Sequence, residues 1–315
     1  MTEQDDVIVL AYAGDLETSV AVSWLAEQHR APVVTLTLDV GQGTDLNDVR
    51  DRALAIGAIR AHVLDVREEF ARHAVIPALA LGTHEPRVAA LARPVVARYL
   101  AQIAGIEGTT LVAHGSHRPA TDLGSLEELV AQENPALEVL APCRDWTLSP
   151  EALADYARAR GIPVPVAGAG LTAVRTVWGR ALAGDLLANP WAEVPPDAFT
   201  LTRPVADWPS VPAIVDVTFV EGVPTALNGV EMPFVELLSS LETIVGSHGI
   251  GRLDFTSLPG GRPRIVEEAP APVVLHAAMK ALSAVVPGMW PAVRGTVRMK
   301  CLMGECHIEE VSVGH

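Results

Sequence analysis

Lysine is almost absent from this sequence of 315 residues: only Lys280 and Lys300 are present, and arginine supplies the other 21 of 23 basic residues. Asp and Glu together number 38, so the net charge is −15 at pH 7. A field of that sign repels the phosphate backbone of a nucleic acid. We therefore expect no nucleic-acid partner.

Long apolar runs are also missing, since none reaches the roughly 18 to 20 residues that a membrane-spanning helix needs. The first six residues are polar and acidic, unlike the basic start of a signal peptide. We expect a cytoplasmic protein without a membrane partner.

Cysteine is scarce, with Cys143, Cys301 and Cys306 only. Their odd number and their spacing favour neither a disulfide framework nor a zinc site, so reduced thiols are expected. Cys301 and Cys306 flank a predicted turn, which is typical of paired strand residues in a surface hairpin.

Hydrophobic residues are plentiful at 49%, against 19% charged residues, and this balance supports a large core. The length suggests two domains, and a stretch rich in Gly and Pro after residue 160 marks the boundary. We predict one domain at 1–165 and a second domain at 166–315.

The first domain alternates short apolar runs with helical patterns, which indicates a parallel sheet covered on both faces. The predicted strands are 7–10, 33–38, 62–64, 110–113 and 137–140. The second domain is predicted to be α+β. Its hairpins are expected at 214–227 and 294–313, and its helices at 234–245 and 273–286.

The loop after the first strand is the first candidate site, because ligands of parallel α/β sheets bind beyond the carboxyl ends of the strands. Residues 10–19, LAYAGDLETS, resemble a phosphate-binding loop of the SGGxDS type. A purely structural interpretation stays open, in which Gly14 forms a turn and Thr18 or Ser19 caps the helix.

Many further segments occur in the order found in one family. They are LDVGQGTDLNDVRDRALAIGA (38–58), VREEF (66–70), ALARP (90–94), AHG (113–115), APCRDW (141–146), GIPVPV (161–166), VWGRAL (177–182), NPWAEVPPDAF (189–199), GVPTALNGVEM (222–232), HGIGRLD (248–254), EAPAPVVLHAA (268–278) and GTVRMK (295–300). Together they resemble the argininosuccinate synthase family of N-type ATP pyrophosphatases. That family uses ATP to adenylate citrulline, and aspartate then displaces AMP. The resemblance implies an α/β nucleotide-binding domain followed by an α+β synthetase domain.

The resemblance implies ATP as cofactor. Mg²⁺ is expected with it, and Asp15 is the residue that we expect to hold the cation because of its charge. The residues that it assigns to nucleotide binding are Ala11, Tyr12, Ala13, Gly14, Asp15, Glu17, Thr18, Ser19, Asp39, Gln42, His114 and Gly115. The loop departs from the family because Ala13 replaces Ser, Asp15 replaces the second Gly and Glu17 replaces Asp. Asp15 adds negative charge where phosphates should approach, and a cation between them would reverse the sign.

The positions that correspond to citrulline contacts differ more. The substrate-binding positions that the resemblance implies are Glu85, Ala90, His117, Thr121, Asp122, Ser125, Thr172, Ala181, Glu267 and Glu268. Glu85 and Glu267 stand where the family has Tyr, and Ser125 stands where it has Arg. Ala90 and Ala181 have lost hydroxyl groups. A site built from hydrogen bonds rejects ligands that leave its polar groups unpaired, so we expect an acceptor other than citrulline.

Arg93 and Asp122 are the charged residues that we expect to act in catalysis. Two hypotheses follow: an ATP-dependent C–N ligase with another acceptor, or a non-catalytic homologue that binds a small molecule or protein. A metal site at His114 and His117 with Cys143 or Asp122 is a weaker alternative. The family's long C-terminal tail is missing, so a monomer or homodimer is expected instead of the family tetramer.

Overall fold

The computed structural model describes residues 7–81, 88–116, 124–146, 148–163, 170–256, 264–285 and 294–314. The α-helices are α1 (Leu16–His29), α2 (Leu46–Ala55), α3 (Arg67–Phe70), α4 (Ile76–Leu81), α5 (Arg93–Glu107), α6 (Leu126–Glu133), α7 (Pro142–Asp145), α8 (Pro150–Ala159), α9 (Phe234–Gly246) and α10 (Pro270–Val285). A π-helical turn at Ala71–Val75 joins α3 to α4, and short 3-10 turns occur at Asp185–Ala188, Pro196–Ala198 and Val205–Asp207.

Within the described residues, the strands form one parallel and two antiparallel sheets. They are β1 (Ile8–Ala11), β2 (Val33–Asp39), β3 (Arg60–Asp65), β4 (Leu111–His114), β5 (Glu138–Leu140), β6 (Thr172–Thr176), β7 (Gly179–Ala183), β8 (Ala213–Val220), β9 (Val223–Leu227), β10 (Val230–Glu231), β11 (Arg252–Phe255), β12 (Ile265–Glu268), β13 (Gly295–Leu302) and β14 (Glu305–Val313).

The first compact unit contains 1–66 and 90–167, and its parallel sheet has the order β3-β2-β1-β4-β5. Strand β1 lies at the centre, with Ile8 aligned with both Val33 and Leu111. Ile8, Val9 and Leu10 are fully buried, as the continuous apolar run of a strand covered on both faces requires. The predicted α/β fold with five parallel strands is confirmed.

The second compact unit contains 67–89 and 168–315. One of its sheets has the order β10-β9-β8-β13-β14, and the other has the order β11-β12-β7-β6. Helix α10 packs on β13 and β14, and α9 packs on β9. This antiparallel architecture agrees with the predicted α+β class.

The division between the units differs from the predicted one at residue 165, because 67–89 belongs to the second unit. The physical reason is packing: α3 contacts α9, and α4 contacts α10. Sequence patterning had placed the apolar helical stretch at 75–81 among the helices of the parallel sheet. The four-stranded sheet of β6, β7, β11 and β12 was not predicted, since its short strands carry Arg and Glu among their apolar residues.

In the part of the chain that the structure describes, no helix is both long and apolar enough to cross a bilayer.

Candidate functional site

The loop between β1 and α1 is a tight turn that contacts side chains of α2. Gly14 has φ +76°, in the left-handed region that favours glycine. A Cβ at Gly14 would lie 3.1 Å from Cγ1 of Val49, and the Gly14 carbonyl accepts a 2.6 Å hydrogen bond from Nη1 of Arg52. Arg52 is thus a supporting residue that sequence reasoning missed, since it lies 38 positions away on α2.

Asp15 is the N-cap of α1. Its Oδ1 accepts hydrogen bonds from the backbone N–H of Thr18 at 2.8 Å and from the Thr18 hydroxyl. The helix therefore begins at Leu16, and the structural interpretation in which Thr18 or Ser19 caps it is wrong. Asp15 can serve as the N-cap because its backbone is extended, with φ −77° and ψ 176°, as is typical of the residue that precedes a helix. An anionic side chain thus occupies the helix N-terminus, where a phosphate would otherwise bind.

Several predicted nucleotide-binding side chains support the loop from inside the unit. The Tyr12 hydroxyl lies 3.0 Å from Oγ of Ser19, and the Tyr12 carbonyl accepts a hydrogen bond from Thr37. Burial raises the pKa of Tyr12.

The predicted loop residues differ in exposure. Tyr12, Thr18 and Ser19 are all buried, whereas Ala13 is exposed and its N–H donates to Oγ1 of Thr18. Ala11 is half-buried at the end of β1, and Glu17 lies in the first turn of α1.

The first turn of α1 is in direct contact with the loop after β4. A Cβ at Gly115 would lie 2.6 Å from Cγ2 of Thr18 and 3.8 Å from the sulfur of Cys143. Glycine at 115 therefore allows the helix and the β4 loop to approach. Because β1 and β4 are neighbouring parallel strands, both loops emerge at the same edge of the sheet.

Asp39 and Gln42 lie at the end of β2, the other neighbour of β1. Oδ1 of Asp39 accepts from the N–H of Gly41 at 2.9 Å. Gln42 Oε1 accepts from the N–H of Val40 at 2.8 Å, and its Nε2 donates to the Leu38 carbonyl at 2.7 Å. Gln42 thus stabilises this turn through its side chain, and the sheet order places Asp39 at the edge that carries Gly14 and Gly115.

His114 ends β4 and is only 2% exposed. Its Nδ1 accepts from the N–H of Ser116 at 3.1 Å, and its Nε2 lies 3.2 Å from Oε1 of Glu127 without the geometry of a hydrogen bond. Burial, with smaller effects of Arg144 and Arg93, lowers the pKa of His114 to about 4. The imidazole is therefore neutral at pH 7, with its proton on Nε2.

The side chain of Cys143 lies beside the β4 loop, near Gly115. Burial raises the pKa of the Cys143 thiol to about 12, and the charges of Asp15 and Glu17 contribute. The thiol is therefore protonated at pH 7, which disfavours nucleophilic attack by its sulfur. Among the described residues, no group of three His, Cys, Asp or Glu side chains could hold a metal ion, while His117 and Asp122 lie outside those residues.

Arg93 begins α5, and its Nη1 donates to the Gly124 carbonyl at 3.3 Å. Burial lowers the pKa of Arg93. Ala90 lies in the turn before α5, and its carbonyl accepts from the N–H of Arg93.

Ser125 is the N-cap of α6 and forms a capping box with Glu128, so its hydroxyl accepts a hydrogen bond from the first turn of the helix. Glu85 and Thr121 also lie outside the described residues.

The second unit holds the remaining predicted substrate positions on adjacent strands. Ala181 on β7 aligns with Glu267 on β12, while Thr172 on β6 is exposed and donates its hydroxyl to the Ala183 carbonyl. Glu267 is 2% exposed, and its Oε1 accepts from the N–H of Val88 at 3.0 Å. Glu267 thus anchors the segment just before Ala89 and Ala90.

Glu268 is fully buried and is bound by several hydrogen-bond donors. The N–H groups of Thr200, Leu201 and Thr202 donate to its two oxygens at 2.9 to 3.0 Å, and the Thr202 hydroxyl donates at 2.7 Å. Nη1 of Arg180 lies 3.4 Å from Oε2. This carboxylate organises the 200–202 loop, a role that sequence reasoning missed because the partners are 66 to 68 residues away.

Comparisons with known proteins agree with this architecture. Residues 7–163 match the arginosuccinate synthase N-terminal HUP domain, and residues 172–300 match the arginosuccinate synthase C-terminal domain. Among solved structures, a predicted tRNA methyltransferase subunit from Methanocaldococcus jannaschii covers 49% of this chain and is itself covered to 76%. The two chains share 13% sequence identity, with a TM-score of 0.36.

Curated relatives include three argininosuccinate synthases that are each 40% identical to this chain. The protein of Oceanobacillus iheyensis aligns over 88% of this chain and 68% of its own length. The Streptococcus thermophilus protein aligns over 87% of this chain and 70% of its own length. The Dictyoglomus turgidum protein aligns over 89% of this chain and 71% of its own length. The chain therefore belongs to the argininosuccinate synthase family, whose members are ATP-dependent ligases that form C–N bonds.

Proposed function

We propose that this protein is an ATP-dependent ligase that adenylates a carbonyl-type acceptor other than citrulline and transfers it to an amine. Aspartate is the first amine to test, because the relatives are named for its product with citrulline. The observation that carries the proposal is the contact between the first turn of α1 and the β4 loop. Thr18 and Gly115 meet at the carboxyl edge of a parallel sheet, where nucleotides bind in such folds.

The acceptor positions support a change of substrate. Glu267, which stands in the position of a family Tyr, is a buried carboxylate engaged with Val88. Ala181, its strand neighbour, offers no hydroxyl. An acceptor site that exchanges aromatic and hydroxyl contacts for a carboxylate should lose citrulline affinity by several decades.

Mg²⁺ belongs to the proposal through Asp15. Both hydrogen bonds from Thr18 use Oδ1 of Asp15, so Oδ2 is the oxygen that would face a cation. Mg²⁺ binds proteins through one or two carboxylates together with substrate phosphates, and a single carboxylate therefore fits it. The cation would offset the repulsion between Asp15 and the nucleotide.

A non-catalytic homologue is the second candidate, and the Asp15 cap is the observation that favours it. The carboxylate uses the Thr18 N–H that a phosphate would require, and it adds like charge beside that phosphate. Such a protein would bind another small molecule or a protein partner. The expectation of a monomer or homodimer stays a prediction.

The two candidates are separated by ATP–pyrophosphate exchange, measured with Mg²⁺ and a panel of ureido, amide and carboxylate acceptors. Exchange that depends on an acceptor, with AMP released when an amine is added, supports the ligase. Absence of both exchange and calorimetric ATP binding, with and without Mg²⁺, overturns it in favour of the second candidate. Gly115→Ala is the matched loss-of-site variant, because its methyl group would meet Thr18.

A further inference from the structure

The thiols of Cys301 and Cys306 form a pair in the last hairpin of the second unit, away from the residues used above. Cys301 on β13 is the direct cross-strand partner of Cys306 on β14, and their sulfurs lie 2.7 Å apart. Directly opposed residues of antiparallel strands have Cα atoms about 4.5 to 5.5 Å apart, inside the range of about 4.4 to 6.8 Å that a disulfide spans. The pair can therefore be joined without moving the backbone.

The hairpin around the pair is held firmly. Met303 and Gly304 have φ +50° and +80°, as the two-residue turns that suit twisted strands require. The N–H of Gly304 donates to the His248 carbonyl at 2.8 Å, and a Cβ at Gly304 would lie 3.1 Å from the Trp208 ring. These contacts keep the two strands in register and the thiols in contact.

The two thiols differ in access and in acidity. Cys301 is fully buried, whereas Cys306 is partly exposed. The hydrogen bond between the sulfurs lowers the pKa of Cys306 and raises that of Cys301. Cys306 is therefore the thiol that ionises and that a small reagent can reach.

We propose that Cys301 and Cys306 are a reversible oxidation site that closes to a disulfide by exchange with a low-molecular-weight disulfide. Cys306 ionises, and its thiolate attacks one sulfur of the reagent, which forms a mixed disulfide on Cys306 and releases one small thiolate that takes up the proton lost by Cys306. Cys301 then loses its proton, and its sulfur attacks the Cys306 sulfur and expels the second small thiolate, which takes up that proton. Two protein thiols become one disulfide, and the reagent is reduced to two thiols.

The test treats the reduced full-length chain with oxidised glutathione, quenches it by alkylation and maps the products by peptide mass spectrometry. We expect the native protein to lose the mass of two hydrogen atoms, with the 301 and 306 peptides linked. Cys143, buried and with a raised pKa, should stay unmodified in the same sample and serves as the internal control. Denatured protein confirms that the reagent is active.

Two variants test the order of the steps. Cys301→Ser should accumulate a stable mixed disulfide on Cys306, and Cys306→Ser should leave Cys301 unmodified. The proposal is overturned if the native chain keeps both thiols free, or stops at the mixed disulfide, under conditions that oxidise a peptide spanning 298–309. The native measurement decides the question even if a variant fails to fold.

Discussion

At the scale of single residues, the carboxylate of Asp15 has two opposing effects. It caps α1 through Thr18, which stabilises the helix, and it brings negative charge to the place where a phosphate would bind. The helix dipole favours a nearby anion by only about 1 kcal/mol, and like charges at close range can exceed that. Under the proposed function, we therefore expect Asp15 to weaken ATP binding.

Asp15→Gly should strengthen ATP binding in the absence of Mg²⁺ by about tenfold or more, because it removes that charge and restores close backbone approach. Loss of the cap should cost only a few tenths of a kcal/mol, since Gly is itself tolerated at N-cap positions. Calorimetric titration with and without Mg²⁺ measures the effect.

The matched control for this experiment is Asp45→Gly. Asp45 caps α2 through the N–H of Asn47, so its replacement removes an equivalent cap. ATP affinity should not change in that variant. If wild type and Asp15→Gly bind ATP equally in EDTA, the proposed repulsion is refuted.

His114 should make the first unit less stable as the pH falls. Its folded pKa of about 4 lies below the ordinary 6.5, so its contribution is complete above pH 6.5. The unfolded chain binds the proton first, and stability is lost between pH 6.5 and about 4, by at most about 3 kcal/mol. Urea unfolding at a series of pH values measures this loss. His114→Gln should show a shallower loss over the same range, and an identical slope would argue against it.

At the scale of elements, the close approach of two loops shapes the candidate nucleotide site. The first turn of α1 touches the β4 loop through Thr18 and Gly115, and a methyl group at 115 would overlap Cγ2 of Thr18. A side chain, unlike backbone, can be shortened by mutation. This contact can therefore be tested by substitution on both sides.

Gly115→Ala should destabilise the protein by about 1 to 3 kcal/mol, as overpacking in a tight site does, and should weaken ATP binding. Thr18→Ser removes Cγ2 and keeps the hydroxyl that bonds Asp15. The double variant should therefore recover much of the lost stability. A double-mutant cycle from denaturant unfolding measures the coupling, and additive effects would show that the loops do not meet as described.

Glu268 connects strand β12 to the 200–202 loop through four hydrogen bonds to a buried carboxylate. Glu268→Gln should destabilise the second unit by about 2 to 4 kcal/mol, because the amide nitrogen cannot accept the backbone N–H groups left in the interior. Denaturant midpoints measure the change. Glu309→Gln, on the exposed face of β14, is the control and should alter stability by less than about 0.5 kcal/mol. Equal midpoints for both variants would contradict the role of Glu268.

At the scale of the whole molecule, the chain matches both domains of the family, and we expect the difference from other members to lie at the acceptor positions. The family match extends over 7–163 and 172–300, so the chemistry of adenylation is expected to persist. The resemblance implies that Ala90, Ser125, Ala181 and Glu267 replace side chains that contact citrulline in the family. Substrate choice should therefore differ more than fold.

We expect no argininosuccinate from citrulline, aspartate and ATP at the rate of an ordinary enzyme, because the lost polar contacts act together. Chromatographic detection of the product, with a curated relative such as the Oceanobacillus iheyensis protein as positive control, tests this expectation. Turnover comparable to that control would show that the substitutions do not exclude citrulline. Light scattering of the same sample measures whether the protein is a monomer or a dimer.

The sequence by itself determined the parallel sheet and the outer hairpins. Apolar runs such as 33–38 and turns such as 303–305 are local signals, and the structure has β2 and the β13–β14 hairpin at those places. The edge that carries Gly14, Asp39 and Gly115 followed from the same reasoning, since parallel strands end together.

Only the tertiary structure decided which unit holds 67–81 and what Asp15, Glu267 and Glu268 bind. An apolar helical stretch can cover either a sheet or another helix, and its contacts with α9 and α10 are invisible in the sequence. A carboxylate can bind a ligand, cap a helix or accept hydrogen bonds from a buried loop. Which of these it serves depends on donors brought near by folding, as the 200–202 amides are to Glu268.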